Sequence, residues 1–313
     1  MINKIYCVII GSGPAGYTSG IYLARFNIKH ILYTGDLQGG QLVNTTKVEN
    51  FPGFSKGILG IKLMNEMYKQ SIKFGTIIKK EKITKVFFNK KKFENHILYT
   101  ENKKKIITPS VIIATGSSPK KLNIKSEKKF LGFGISYCAI CDGMIFKNKK
   151  VAVIGGGDTA LEESLYLSRI CKKIFLIIRK NEFKGSKFLQ KKIYKKKNIN
   201  IFFESKIIKF LGNKKLKYIK ILKKEKIEKV KVSGVFIAIG YKPNTSIFKN
   251  LINMDKKGYI LTKNKTTETN IPGVFAAGDV QDNKYRQAIT SAGSGCMAAL
   301  DVEKYLLNKK KNV

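Results

Sequence analysis

A chain of 313 residues has room for about two domains, and 43% hydrophobic content can give each a core, which excludes a disordered or low-complexity protein. The formal net charge is +40, from 61 basic and 21 acidic residues, but only four of the basic residues are arginines, and the lysines accompany abundant Ile and Asn. That is the codon drift of an AT-rich genome: lysine runs at 103–105 and 195–197 are expected to be solvated faces, with no nucleic acid as partner. No apolar run reaches the ~18 to 20 residues of a membrane span, so no membrane is expected. The absence of a signal-peptide pattern and the five scattered cysteines point to a cytoplasmic protein.

In chain order, the first predicted element is a strand over residues 5–10, a continuous β-rich apolar run of the kind buried on both faces. It leads straight into Gly11-Ser12-Gly13-Pro14-Ala15-Gly16 and then a helical pattern through Phe26. In that setting the first glycine permits a tight turn, the second lets backbone approach a phosphate and the third allows close helix packing, while free N–H groups at the helix start can bind a pyrophosphate. A second strand is predicted over 30–33. Asp36, after Gly35, stands where a ribose-binding acid is expected, or else it is a turn residue.

Farther on, Cys138-Ala139-Ile140-Cys141-Asp142-Gly143 places two thiols and a carboxylate together. The C-x-x-C spacing lets the sulfurs form a small-ring disulfide, and if the motif opens a helix the dipole favours thiolate, so the pair reads as redox-active. Half of a zinc site is the alternative, but zinc takes four ligands, and Cys7, Cys171, Cys296, His30 and His96 lie at no ligand spacing. No metal is expected, and those three cysteines are expected to be core packing.

A second glycine loop, Gly155-Gly156-Gly157-Asp158-Thr159-Ala160, has a predicted strand over 150–154 before it and an amphipathic helix from 158 to about 170 after it. Beyond the next strand, at 174–178, an NAD site would offer an acid to the 2′-hydroxyl. This chain presents Arg179, Lys180 and Lys184 instead, cations that suit a 2′-phosphate and hence NADPH. Arg179 is the strongest of the three signals because arginine is so scarce here. Two dinucleotide loops, a disulfide between them and no metal set describe electron transfer from a nicotinamide through a flavin to a thiol pair.

Further blocks follow the same order as a known family: Gly39-Gly40-Gln41-Leu42, Glu49-Asn50-Phe51-Pro52-Gly53, Ala114-Thr115-Gly116, Ile271-Pro272-Gly273-Val274-Phe275-Ala276-Ala277-Gly278-Asp279 and Tyr285-Arg286-Gln287-Ala288. With them the chain resembles, nearly end to end, the low-molecular-weight bacterial thioredoxin reductases. The resemblance implies an α/β fold of two Rossmann-like dinucleotide-binding domains, with an NADPH domain (117–244) inserted into a discontinuous FAD domain (1–116 and 245–313). Thr115 then marks the crossing into the insert and Gly240 the return. Gln41 and Asn50 are carried over as flavin-domain contacts. Asp279 can accept a hydrogen bond from a flavin ribityl hydroxyl, and Arg286-Gln287-Ala288 is expected to open the final helix toward the flavin's pyrimidine edge.

The implied activity passes electrons from NADPH to FAD, then to the Cys138–Cys141 disulfide, and finally, once the inserted domain has turned, to thioredoxin. By matching position Cys141 is the flavin-proximal thiol, Cys138 attacks the thioredoxin disulfide, and Asp142 is the acid/base. A homodimer is implied as well. The alternative is a related FAD-dependent dithiol oxidase, or a disulfide reductase with a different partner; the NADPH loop weighs against an oxidase. The chain departs from the family in Ile178-Arg179-Lys180 with Lys184, where His-Arg-Arg and a later Arg are common. It also has Phe133 and Met144-Ile145 where a docking arginine and an aromatic pair are usual.

Overall fold

The computed structural model describes residues 5–45 and 47–311. The chain forms two compact units, one of Met1–Ser118 with Lys242–Val313, the other of the continuous stretch Pro119–Tyr241. The units meet along the chain at 118/119 and 241/242, where the resemblance implies 116/117 and 244/245.

The first unit is built on a parallel five-stranded sheet with the order Val274–Ala276, Val111–Ile113, Cys7–Ile10, His30–Tyr33, Ile77–Lys79. Period-two alternation sends Cys7 and Ile9 into one apolar cluster and Val8 and Ile10 into another, so the strand is buried on both faces. The helix Pro14–Arg25 follows, with proline at a starting position where its missing N–H costs nothing. It ends at Asn27, whose φ of +55° is left-handed, and the Ile28 N–H turns back to the Leu23 carbonyl at 3.0 Å.

The second unit repeats the plan, with the parallel order Ile135–Ser136, Gly234–Ile237, Lys150–Ile154, Lys173–Ile177, Ile199–Phe202. Each unit also carries a three-stranded antiparallel sheet, Ile83–Phe87 with His96–Thr100 and Lys105–Thr108 in the first, Ser205–Gly212 with Leu216–Lys223 and Lys226–Lys231 in the second.

Several element ends differ from expectation, and the strand expected over 5–10 is Cys7–Ile10. The helix expected to run to about 170 is Asp158–Leu167, because the N–H groups of Arg169 and Ile170 turn to carbonyls only three residues back and tighten the chain into a turn. The strand expected at 174–178 is Lys173–Ile177. Lysines 103–105 and 195–197 are all exposed. Cys7 and Cys171 are buried, and burial pushes their thiols up to about 12 and about 11. Cys296 departs from the core assignment: it is only half-buried and lies beside Tyr22.

Candidate active site

Gly11 has a φ of +112°, and a β-carbon there would lie 2.3 Å from the Ala114 carbonyl oxygen, so both the turn and the close approach require glycine. A β-carbon at Gly16 would fall 2.0 Å from the Gly11 oxygen, which seats the helix directly on the turn. At Gly13 the same construction meets nothing within 4 Å, and the Pro14–Arg25 helix has no side-chain cap, leaving its first N–H groups facing open space. That combination fits a dinucleotide diphosphate.

Other predicted residues gather around this loop. Ser12 Oγ accepts the Gly39 N–H at 3.1 Å and donates to the Thr34 carbonyl at 3.2 Å, and a β-carbon at Gly40 would be 3.2 Å from Gly13 Cα. Gln41 and Leu42 continue as the 3-10 helix Gly40–Asn44. Gly278 closes on the helix from the other side, where a β-carbon would meet that of Ala15 at 3.0 Å. Half-buried Asp279 accepts from Ser291 Oγ at 3.0 Å, and burial lifts its carboxyl to about 6. Asn50 donates to Gln287 Oε1 at 3.1 Å, joining two blocks 237 residues apart.

One expectation changes here. The final helix is Ala288–Lys311, so Arg286 and Gln287 precede it; Arg286 stands at a φ of +49°, which breaks the helical path, and its N–H is held by Asp282 Oδ2 at 3.1 Å. Asp36 lies in a bend with an exposed carboxylate ion-paired to Lys82 at 2.5 Å. At the crossing, Thr115 Oγ1 donates to the Asn244 carbonyl and Asn244 Nδ2 to the Thr115 carbonyl, both at 2.8 Å, while the Gly116 carbonyl accepts the Asn244 N–H at 3.0 Å. Gly240, with a φ of +97°, accepts from the Lys120 N–H at 3.0 Å.

In the second unit Gly155 has a φ of +145°, and a β-carbon would lie 2.4 Å from the Ala238 oxygen. Gly157 has open space around it and precedes a helix without a side-chain cap, so this loop also fits a dinucleotide diphosphate. Ala160, at the third position of the motif, is fully buried. Lys184 comes to this loop through backbone: the N–H groups of Lys184 and Gly185 reach the Gly156 carbonyl at 2.7 and 2.9 Å, and Asp158 Oδ1 accepts the Ser186 N–H at 2.7 Å. Arg179, Lys180 and Lys184 are all exposed.

Cys138 and Cys141 are joined as a disulfide, half-buried, with Cys138 at the N-cap of the single turn Ala139–Asp142 and its sulfur receiving the Cys141 N–H at 3.2 Å. Asp142 Oδ2 accepts from Ser136 Oγ at 2.6 Å, while Oδ1 is buried without a hydrogen-bond partner. Burial raises the Asp142 carboxyl, and the Ser136 bond opposes that in part. Tyr137 is fixed at both ends, its hydroxyl donating to Glu127 at 2.7 Å and its carbonyl accepting from Tyr241 at 2.8 Å.

Sequence reasoning missed Ser136, Glu127, Tyr241, Ser291 and Asn244. Only Ser136, two residues before the first cysteine, carried a local signal. No group of His, Cys, Asp and Glu among the described residues could hold a metal, and no described helix is long and apolar enough to cross a membrane.

Comparison with known proteins agrees with this arrangement. A family profile described as pyridine nucleotide-disulphide oxidoreductase matches residues 6–295. The chain is 52% identical to the thioredoxin reductase of Buchnera aphidicola subsp. Schizaphis graminum, over 97% of this chain and 98% of that one. It is 47% identical to thioredoxin reductase 1 of Saccharomyces cerevisiae, over the same shares. The solved thioredoxin reductase of Giardia duodenalis superposes with a TM-score of 0.91 at 35% identity, covering 97% of this chain and 99% of that one. That of Streptococcus pyogenes gives 0.91 at 33%, covering 98% and 99%. With two glycine loops, a disulfide and these relatives in agreement, the chain belongs to the pyridine nucleotide-disulphide oxidoreductases and, within them, to the thioredoxin reductases.

Proposed function

We propose that this chain is an NADPH-dependent thioredoxin-disulfide reductase acting through Cys138 and Cys141. The observation that carries the reading is the bonded cysteine pair with the Asp142 carboxyl beside it, in the unit that holds the second glycine loop. When bound, FAD and NADPH supply the two-electron hydride chemistry that reduces this disulfide. The Gly11–Gly16 loop would hold the FAD diphosphate, and Asp279 would accept from a ribityl hydroxyl. The Gly155–Ala160 loop would hold the NADPH diphosphate, with Arg179, Lys180 and Lys184 serving its 2′-phosphate.

Reduction of the disulfide takes up two electrons and two protons, one proton more than a hydride carries, and Asp142 is the group placed to handle it. In the exchange, the Cys138 thiolate attacks the thioredoxin disulfide, forming a mixed disulfide as the partner's own S–S bond breaks and its leaving sulfur is protonated. Cys141 then attacks the Cys138 sulfur, re-forms the ring and releases the second thioredoxin sulfur. The Cys141 N–H directed at the Cys138 sulfur supports this assignment, because a donor at a sulfur favours its anion.

The chain acts as a homodimer, a reading supported by Ile289, Met297, Leu300 and Leu307, which leave large apolar side chains exposed along the final helix; sedimentation distinguishes it from a monomer of 35.3 kDa.

Anaerobic titration with NADPH tests the function. Wild-type protein takes up about four electron equivalents, two for the flavin and two for the disulfide. Cys141→Ser accepts only the flavin's share and fails to reduce thioredoxin; full thioredoxin activity in that variant would overturn the mechanism.

A further inference from the structure

Ser136 is buried, at the end of the short strand Ile135–Ser136, and its hydroxyl stands among three groups of the redox motif. It lies 2.6 Å from Asp142 Oδ2, accepts the Cys138 N–H at 3.0 Å and has the Cys138 carbonyl oxygen at 3.2 Å. A hydroxyl has one proton to give, and the shortest contact is to the carboxylate, so the O–H donates to Oδ2 while a lone pair receives the Cys138 N–H. That leaves Oδ1, buried and without a partner, as the free position on the Asp142 carboxyl.

An unpartnered, buried carboxylate oxygen is costly unless a proton visits it. We propose that Ser136 is a positioning residue for the thiol–disulfide exchange: by occupying Oδ2 and tethering the Cys138 backbone, it confines proton uptake and release by Asp142 to Oδ1. The proposal rests on the thioredoxin reductase reading of the site. In the exchange, a thiol proton passes to Asp142 Oδ1 as the attacking sulfur becomes a thiolate, and the same proton leaves Oδ1 for the thiolate expelled from the partner. No oxidant or reductant beyond the two disulfide–dithiol couples is needed.

Two causes displace the Asp142 carboxyl, burial upward and the Ser136 bond downward, burial being the larger. The elements around it carry other titratable groups, namely Tyr137 on the strand side, Lys147 and Lys149 after the following turn, and Glu162, Glu163 and Tyr166 on the packed helix Asp158–Leu167, but none of these is among the causes. The sign of the effect follows. A donor to the carboxylate favours the charged form, so deleting it raises the carboxyl further, and the proton-accepting form is reached only at higher pH.

The test is the rate of thioredoxin reduction by the pre-reduced holoenzyme, followed by stopped flow across pH, in wild type, Ser136→Ala, Ser136→Thr and Asp142→Asn. The rising limb of the Ser136→Ala profile is expected to move up by about one pH unit, as befits one lost hydrogen bond to a charged group. Ser136→Thr, which keeps the hydroxyl, restores the wild-type profile, and Ser136→Ala placed on Asp142→Asn moves nothing further. Infrared difference spectra of the dithiol form give a readout independent of turnover: the carboxyl stretch of Asp142 persists to higher pH in Ser136→Ala.

A Ser136→Ala profile lowered uniformly without a shift, or an unshifted carboxyl band, would overturn the role given to Ser136 while leaving the reductase reading intact. A silent Asp142→Asn removes the base itself and overturns the proposal with it. Failure of wild-type protein to reduce thioredoxin at all would be the separate failure of the functional reading.

Discussion

The two glycine loops share a motif and differ in what surrounds them. Around the first, chain segments remote in sequence close in: Ala114 against Gly11, Gly40 against Gly13, Gly278 against the Ala15 side chain, and Gly295, whose β-carbon would lie 2.2 Å from the Ala15 oxygen. The third motif position, Gly16, has no space for a methyl group. Around the second loop the third position is Ala160, fully buried, and the flanking segment is the loop bearing Arg179, Lys180 and Lys184, tied on by backbone bonds with its side chains exposed. Gly155 is pressed against the Ala238 oxygen much as Gly11 is against that of Ala114, so the first loop is the more closed seat, suited to a group that stays, and the second, flanked by exposed cations, the more open one, suited to a ligand that comes and goes.

The largest effect is expected from breaking the closed seat. Gly16→Ala puts a methyl group into the Gly11 carbonyl, where neither partner is a flexible side chain, and overpacking of that kind costs typically ~1–3 kcal/mol. The variant should purify with flavin absorbance per polypeptide reduced about tenfold or more, the factor that ~1.4 kcal/mol represents. Circular dichroism should show the rest of the fold in place, and wild-type flavin content would refute the closed-seat reading.

A smaller effect is expected at the open seat. Arg179→Ala should raise KM for NADPH about tenfold with little change for NADH, because a guanidinium fork can make paired bonds to a 2′-phosphate. Equal losses with the two nucleotides would remove Arg179 from that site. Lys180→Ala and Lys184→Ala should do less, on the order of two- to threefold each, since an exposed ammonium offers only a screened point charge.

The parts of the site that were legible in sequence are those whose chemistry is local. A glycine forced by a turn and two cysteines three positions apart announce themselves within a few residues, and both loops and the disulfide lie where their motifs put them. The Thr115–Asn244 exchange of hydrogen bonds joins residues 129 apart, and although Ala114-Thr115-Gly116 is a legible block, the Asn244 end has no signature. The last helix begins at Ala288, two residues into the block expected to open it, because the backbone at Arg286 is left-handed, which nothing nearby in the sequence announces. Asp36 has two local readings of equal merit, and its ion-pair partner Lys82, 46 residues away, is foreshadowed by neither. Ser136 was overlooked for a different reason: its importance lies in which oxygen it touches, and serines near strand ends are common.

The strand order of the first unit also sets how the protein can be made. Its sheet needs Val274–Ala276 beside Val111–Ile113, and its first helix needs Gly295 against Ala15, so neither is complete until nearly the whole chain has emerged from the ribosome. The unit Pro119–Tyr241 is continuous and can fold while the first unit is still waiting for its last strand. During that interval Val111–Ile113 presents an open apolar edge, a template for unwanted pairing between nascent chains. A chain truncated before residue 274 should therefore retain a folded second unit and aggregate through its first, and the flavin seat should be the last part of the molecule to form during biogenesis.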